Sequence, residues 1–231
     1  MNDMPIAPIP ESRPESAVQV WQKALTKPSE ETFAEIASSP NAKASTGYLW
    51  MFVAYLIRIF LAALVQNRLF STYANQYGFG DVFDNRGFGS VLFGAICSAP
   101  IGAAVGTLFF AIAVFVIQWL AKMFGGRGTA DKLAYTMAAI LAPYLVISGI
   151  VTLFSAIPYV GLCFSAILAL AGLYILVLEV MAVKGVNQVS WGAAIGALLI
   201  PVAVIAFLCA CLIGGSLAVL LPTIRNAIPT P

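Results

Sequence analysis

The sequence predicts an all-α fold, a polytopic membrane helix bundle of five transmembrane helices preceded by short N-terminal amphipathic helices. Three observations predict it. Hydrophobic residues make up 61% of the 231 residues and charged residues only 10%, against about 25% charged in soluble domains. Five apolar runs are long enough to cross a hydrocarbon core of about 30 Å, which takes roughly 20 helical residues. Lysine and arginine concentrate in connectors that five spans would bring to one side.

Composition also removes whole classes of function. A net charge of +2 without any Lys/Arg block argues against nucleic acid as a partner. The chain has no histidine, which takes away the commonest metal ligand and the commonest general base. No metal, cofactor or catalytic residue is expected, and the protein reads as no enzyme. Cys97, Cys163, Cys209 and Cys211 fall inside apolar runs, where a thiol behaves as a small hydrophobe, and packing is their expected role.

Taken in order, residues 1–14 carry four prolines and little apolar content, so they read as a flexible tail. Residues 15–47 read as a cytoplasmic amphipathic segment. Val18, Trp21 and Leu25 recur at helical spacing up to Lys27-Pro28; Ser29 then caps a second helix, with Glu30 and Glu31 in its first turn and Phe33, Ile36 and Ala37 on its apolar side, ending before Pro40. Helices this short need a surface. The bilayer interface or the cytoplasmic face of the bundle is expected to receive Trp21, Phe33 and Ile36, and capture of a soluble partner is the alternative.

Residues 48–231 form the membrane domain. Its runs are Tyr48 to Val65, about Val91 to Phe124, Leu133 to Ala156, Val160 to Val183, and Trp191 to Leu221. The third and fourth are separated only by Ile157-Pro158-Tyr159 and should pair as an antiparallel hairpin. The second and fifth exceed one perpendicular span, so tilt is expected; Pro100, Pro143 and Pro201 are expected to break their helices. With the N-terminus in the cytoplasm, Arg13, Lys23, Lys27, Lys43, Lys122, Arg127, Lys132 and Lys184 lie inside, against Arg68, Arg86 and Arg225 outside. This imbalance favours a cytoplasmic N-terminus and an external C-terminus.

The stretch Gly125-Gly126-Arg127-Gly128-Thr129 looks at first like a phosphate cradle, but it lacks the G-x-x-x-x-G-K-[ST] spacing and follows an apolar run too long for a strand. Glycines permit a tight exit from the helix, and Arg127 and Lys132 are expected to meet anionic headgroups or a partner. Gly94, Ser98, Gly102 and Gly106 recur every four residues, lining one face for close helix packing, with homo-oligomer contacts as the alternative. Arg58 and Glu179 are charges placed in spans and should have partners; an ion pair between them across the first and fourth helices is expected. In the connector after the first span, Asp81, Asp84 and Arg86 are interleaved with aromatics that match an outer interfacial belt.

Several of these residues together resemble a known family. The GGRGT stretch, Tyr135 and Ala142-Pro143 one helix later, Ile157-Pro158-Tyr159-Val160-Gly161, Leu173-Tyr174 and Gly185-Val186 resemble the Yip (Ypt-interacting protein) membrane family. Lys27-Pro28 followed by Thr32-Phe33 and Ile36 is similar to the segment before the first span in its prokaryotic members. The resemblance covers Trp21 to Leu221. It implies five spans and a cytoplasmic N-terminus, and in eukaryotic members a Golgi or endoplasmic reticulum protein that contacts Rab-type GTPases in vesicle traffic. Gly47-Tyr48-Leu49-Trp50 stands where those relatives carry an aspartate-tyrosine-glycine-proline-type motif, and the N-terminal region is short. The resemblance therefore implies a prokaryotic-type member in a plasma membrane. The expected function is a membrane scaffold or adaptor, working in membrane organisation or partner recruitment; the alternative is a small-solute or ion transporter or channel using Arg58 and Glu179.

Overall fold

The computed structural model describes residues 16–76, 88–154, 157, 159–204, 206, 207, 210 and 211. The proline-rich tail, the Asp81, Asp84 and Arg86 connector, and most of the fifth run beyond Val204 lie outside the described residues, as do Pro158, Cys209 and Arg225.

Two short helices come first. Ser16 caps α1 (Ala17–Thr26) through a reciprocal pair of bonds: the Gln19 N–H donates to Ser16 Oγ at 3.4 Å and the Ser16 N–H to Gln19 Oε1 at 2.9 Å. Ser29 caps α2 (Glu30–Ser38), its Oγ accepting from the Thr32 N–H at 3.1 Å. Both satisfy N–H groups that a helix start leaves without partners.

Four long apolar helices follow: α3 (Ala44–Gln76), α4 (Phe88–Met123), α5 (Ala130–Thr152) and α6 (Val160–Asn187). Each contains a stretch long and apolar enough to span a membrane, and a shorter apolar helix, α7 (Trp191–Val204), comes next. The central helix is α5. Its apolar window is 67% buried, against 17%, 22% and 28% for those of α3, α4 and α6, so the other helices sheathe it and turn their remaining apolar faces outward.

Small residues set the contacts. A Cβ on Gly47 would stand 2.9 Å from the Ala134 carbonyl oxygen, and one on Gly149 would stand 3.0 Å from Arg58 Cα. The start of α3 therefore meets the start of α5 and later residues meet later ones, so the two run parallel in near-backbone contact. Helix α4 returns antiparallel to α3, with Gly106 against the Tyr55 ring and Gly102 against Ile59. Ala95, Ala99 and Ala103 on α4 are buried as well. Gly94 faces open space and Ser98 is exposed, so of the four-residue repeat Gly102 and Gly106 make the close approach and the alanines continue it.

The expected α5–α6 hairpin is present. Phe154 stacks on Phe164 at 5.5 Å, and Tyr144 Oη donates to the Leu168 carbonyl at 3.5 Å. Tyr159 reverses the chain with φ 64°, in the left-handed region. Helix α6 then runs to Asn187, one turn beyond the apolar run's end at Val183, and stops at Gln188 in the left-handed conformation. Two expectations are corrected here. Pro100, Pro143 and Pro201 lie inside continuous helices and break none of them, since a bundle can absorb the loss of one intrahelical bond. Of the cysteines, Cys97, Cys163 and Cys211 are exposed on the outside of the bundle instead of packed within it.

Candidate functional site

The most elaborated region is the end of the bundle where α1, α2, the α4–α5 loop and the end of α6 meet. It begins with the glycine loop. Gly125, at φ 88°, ends α4; its N–H donates to the Lys122 carbonyl at 3.0 Å and the Gly126 N–H to the Ala121 carbonyl at 2.8 Å, the paired bonds of a Schellman cap. Beyond the cap the loop presses onto α6. A Cβ on Gly128 would lie 2.6 Å from Asn187 Oδ1 and 2.8 Å from the Val186 carbonyl oxygen, and one on Gly126 would lie 3.1 Å from Asn187 Cβ. The glycines thus leave room for Asn187. That side chain is fully buried.

Asn187 and Gln118 hold the loop by hydrogen bonds. Gln118 Nε2 donates to the Gly128 carbonyl at 2.8 Å and to Asn187 Oδ1 at 2.7 Å; Asn187 Nδ2 donates to the Val183 carbonyl at 3.1 Å. The Arg127 N–H donates to the Asn187 carbonyl at 3.0 Å. Gln118 Oε1 is buried without a hydrogen-bond partner among the described residues. Buried amides of this kind stabilise one loop geometry because any other leaves them unsatisfied. Thr129 Oγ1 then caps α5, accepting from the Lys132 N–H at 3.4 Å. The side chains of Arg127 and Lys132 remain exposed beside this fixed backbone.

The N-terminal helices cover the neighbouring face. Phe33 and Ile36 are 0% and 2% exposed and share a core with Val20, Tyr135, Ile140 and Leu178. Gly185 permits the approach, since a Cβ there would meet the Glu30 carbonyl oxygen at 2.7 Å. Trp21 packs edge-on to Trp50 at 5.7 Å, and Trp50 lies 4.8 Å from the Tyr135 ring. Polar contacts pin the edges: Tyr174 Oη donates to the Leu25 carbonyl at 2.8 Å, Lys23 pairs with Glu35 at 2.6 Å, and Lys184 pairs with Glu30. Lys184 also lies 4.6 Å over the Trp191 ring at the start of α7. Phe33 and Ile36 are therefore contacts to the chain's own bundle, and the exposed members of the candidate set are Arg127 and Lys132.

Arg58 and Glu179 are not brought together. Arg58 is exposed and its backbone packs on Gly149, three residues before the end of α5. Glu179 shares a cleft with Met137 and Leu141, two to three turns nearer the start of α5. The expected ion pair is not formed: no salt bridge joins the two side chains among the described residues.

Sequence reasoning missed Asn187 and Gln118, and singled out Gly185 and Tyr174 only through the family resemblance, without the contacts they make. An amide inside an apolar run is a usable signal, because a buried amide needs partners, and Gln118 carried it. Among the described residues no three His, Cys, Asp or Glu side chains group as metal ligands.

A family model described as the Yip1 domain matches residues 23–213. No curated protein and no solved structure gives a significant match.

Proposed function

The chain belongs to the Yip1 domain family, and from that membership in a family of membrane proteins we propose that it is a non-enzymatic integral scaffold, recruiting a protein partner at the end that carries the glycine loop. One observation carries this reading. Gln118 and Asn187 fix the backbone of the loop while Arg127 and Lys132 stay exposed, and the docked α1–α2 pair extends the same surface through Glu30 and Lys184. A preformed surface with exposed cations suits recognition, because little ordering entropy remains to be lost on binding.

A photo-crosslinking side chain placed at Arg127 or Lys132 in living cells tests the proposal. Discrete protein adducts are expected there, weakened by Asn187→Ala, with none from Leu170 on the apolar outer face. Adducts that do not change with Asn187→Ala would remove the role given to the loop. Solute or ion flux in proteoliposomes above that of empty vesicles would move the protein to the transport class.

A further inference from the structure

Outside the loop region, the wall of the bundle holds a cleft of about 560 Å³ between α4, α5, α6 and α7. Phe109, Val116, Trp119, Leu141 and Pro201 are among its apolar lining, and Glu179 is the one ionisable side chain in it among the described residues. Phe109, Ile112, Trp119, Val202 and Val204 on its rim are exposed, so it opens sideways toward the membrane interior. Among the described residues no hydrogen bond or ion pair holds the Glu179 carboxylate. Of the nearby cations, Lys184 is held by Glu30 and the Trp191 ring, and Arg58 forms no salt bridge with Glu179 among the described residues. A carboxylate at an apolar wall is costly unless a donor reaches it.

Depth says where that donor comes from. From Val160 to Glu179 the helix rises roughly 28 Å at about 1.5 Å per residue, close to the thickness of a hydrocarbon core of about 30 Å. Glu179 thus stands where acyl chains give way to headgroups. An occupant must combine an apolar body for the cleft with a hydrogen-bond-donating cation at that boundary.

We propose that the cleft binds a phospholipid bearing a primary amine, phosphatidylethanolamine, with an acyl chain along α4 and α7 and its ammonium on Glu179. Three N–H donors and a positive charge match the unpartnered carboxylate. Choline has no N–H to give, and a serine headgroup adds a carboxylate that Glu179 repels.

Trp119 supplies the reporter. The full chain is reconstituted into vesicles in which either phosphatidylethanolamine or phosphatidylcholine carries bromine near the top of its acyl chain, and quenching of the emission component lost in Trp119→Phe is followed against mole fraction. The ethanolamine lipid should quench half-maximally at about tenfold lower mole fraction, the size of one charge-assisted hydrogen bond. Glu179→Gln should bring the two lipids together. Ala113→Phe, which fills the cleft from an exposed position, should reduce quenching by both while leaving Glu179 in place. Equal quenching by the two lipids in the unmodified chain, or a preference that survives Glu179→Gln, overturns the proposal.

Discussion

Asn187 shows how one side chain can explain three glycines. Gly126 and Gly128 leave space for it, and Gly125 bends the loop toward it from a backbone that L residues rarely adopt. The two kinds of requirement predict different costs. A methyl group on Gly128 collides with Asn187 Oδ1 at 2.6 Å and with backbone at 2.8 Å, so Gly128→Ala should destabilise by about 1–3 kcal/mol. On Gly125 the same change meets open space and pays only for its positive φ, about 1 kcal/mol. Thermal unfolding in detergent should rank Gly128→Ala as the more damaging. Asn187→Ala leaves Gln118 Nε2 with one acceptor, and a loss of about 1–3 kcal/mol is expected. The glycine-rich exit was legible in the sequence as a tight turn. Its clamp was not, because Asn187 is about sixty residues away and nothing in local spacing reports that contact.

At the scale of the element, α1 and α2 are marginal alone and gain their order from the face of α5 and α6 that they cover. The limits of both helices, the Ser29 cap and the apolar side of α2 were legible, since each depends on neighbours within a few residues; the apolar side of α1 was not, for Val20 and Ala24 are its buried residues and the expected Val18 is exposed. Which surface receives them was left open between the bilayer and the bundle. The buried contacts of Phe33 and Ile36 with Tyr135 and Leu178 show it to be the bundle. Gly185→Ala drives a methyl group against the Glu30 backbone, and Phe33→Ala empties a fully buried ring site worth about 3–5 kcal/mol. Either should release the pair, read as faster proteolysis and faster amide exchange over residues 16–39, with α5 still protected. Tyr174→Phe removes one hydrogen bond, worth about 1 kcal/mol, and should raise exchange there only slightly. Equal acceleration in all three would mean that the edge bond, and not the buried side chains, fastens the pair.

For the whole molecule, the first four spans and their order were legible because apolar length is written in the chain, and the fifth run begins as the shorter helix α7. The relative levels of the spans were not legible. Helices apolar on nearly every side carry no periodic stripe to set their rotation or their height, so the expected pairing of Arg58 with Glu179 had no local signal behind it, and no salt bridge joins them among the described residues. What the fold does establish is which connectors share an end: Asn187 joins the glycine loop to α6, and Glu30 with Lys184 joins α2 to it. Lys23, Lys43, Lys122, Arg127, Lys132 and Lys184 gather at that end, and the turn at Tyr159 lies at the other. The bias of lysine and arginine toward the cytoplasm then predicts the orientation of the whole bundle. In a background without cysteine, Glu35→Cys and Lys132→Cys should react with a membrane-impermeant maleimide only after the cell is opened. Tyr159→Cys, whose parent side chain is 85% exposed, should react on intact cells. Reversal of all three would invert the bundle while leaving its fold untouched. Opposite behaviour of Glu35→Cys and Lys132→Cys would instead contradict the docking of α2 beside the loop, because two positions fastened to the end of one helix cannot face different compartments.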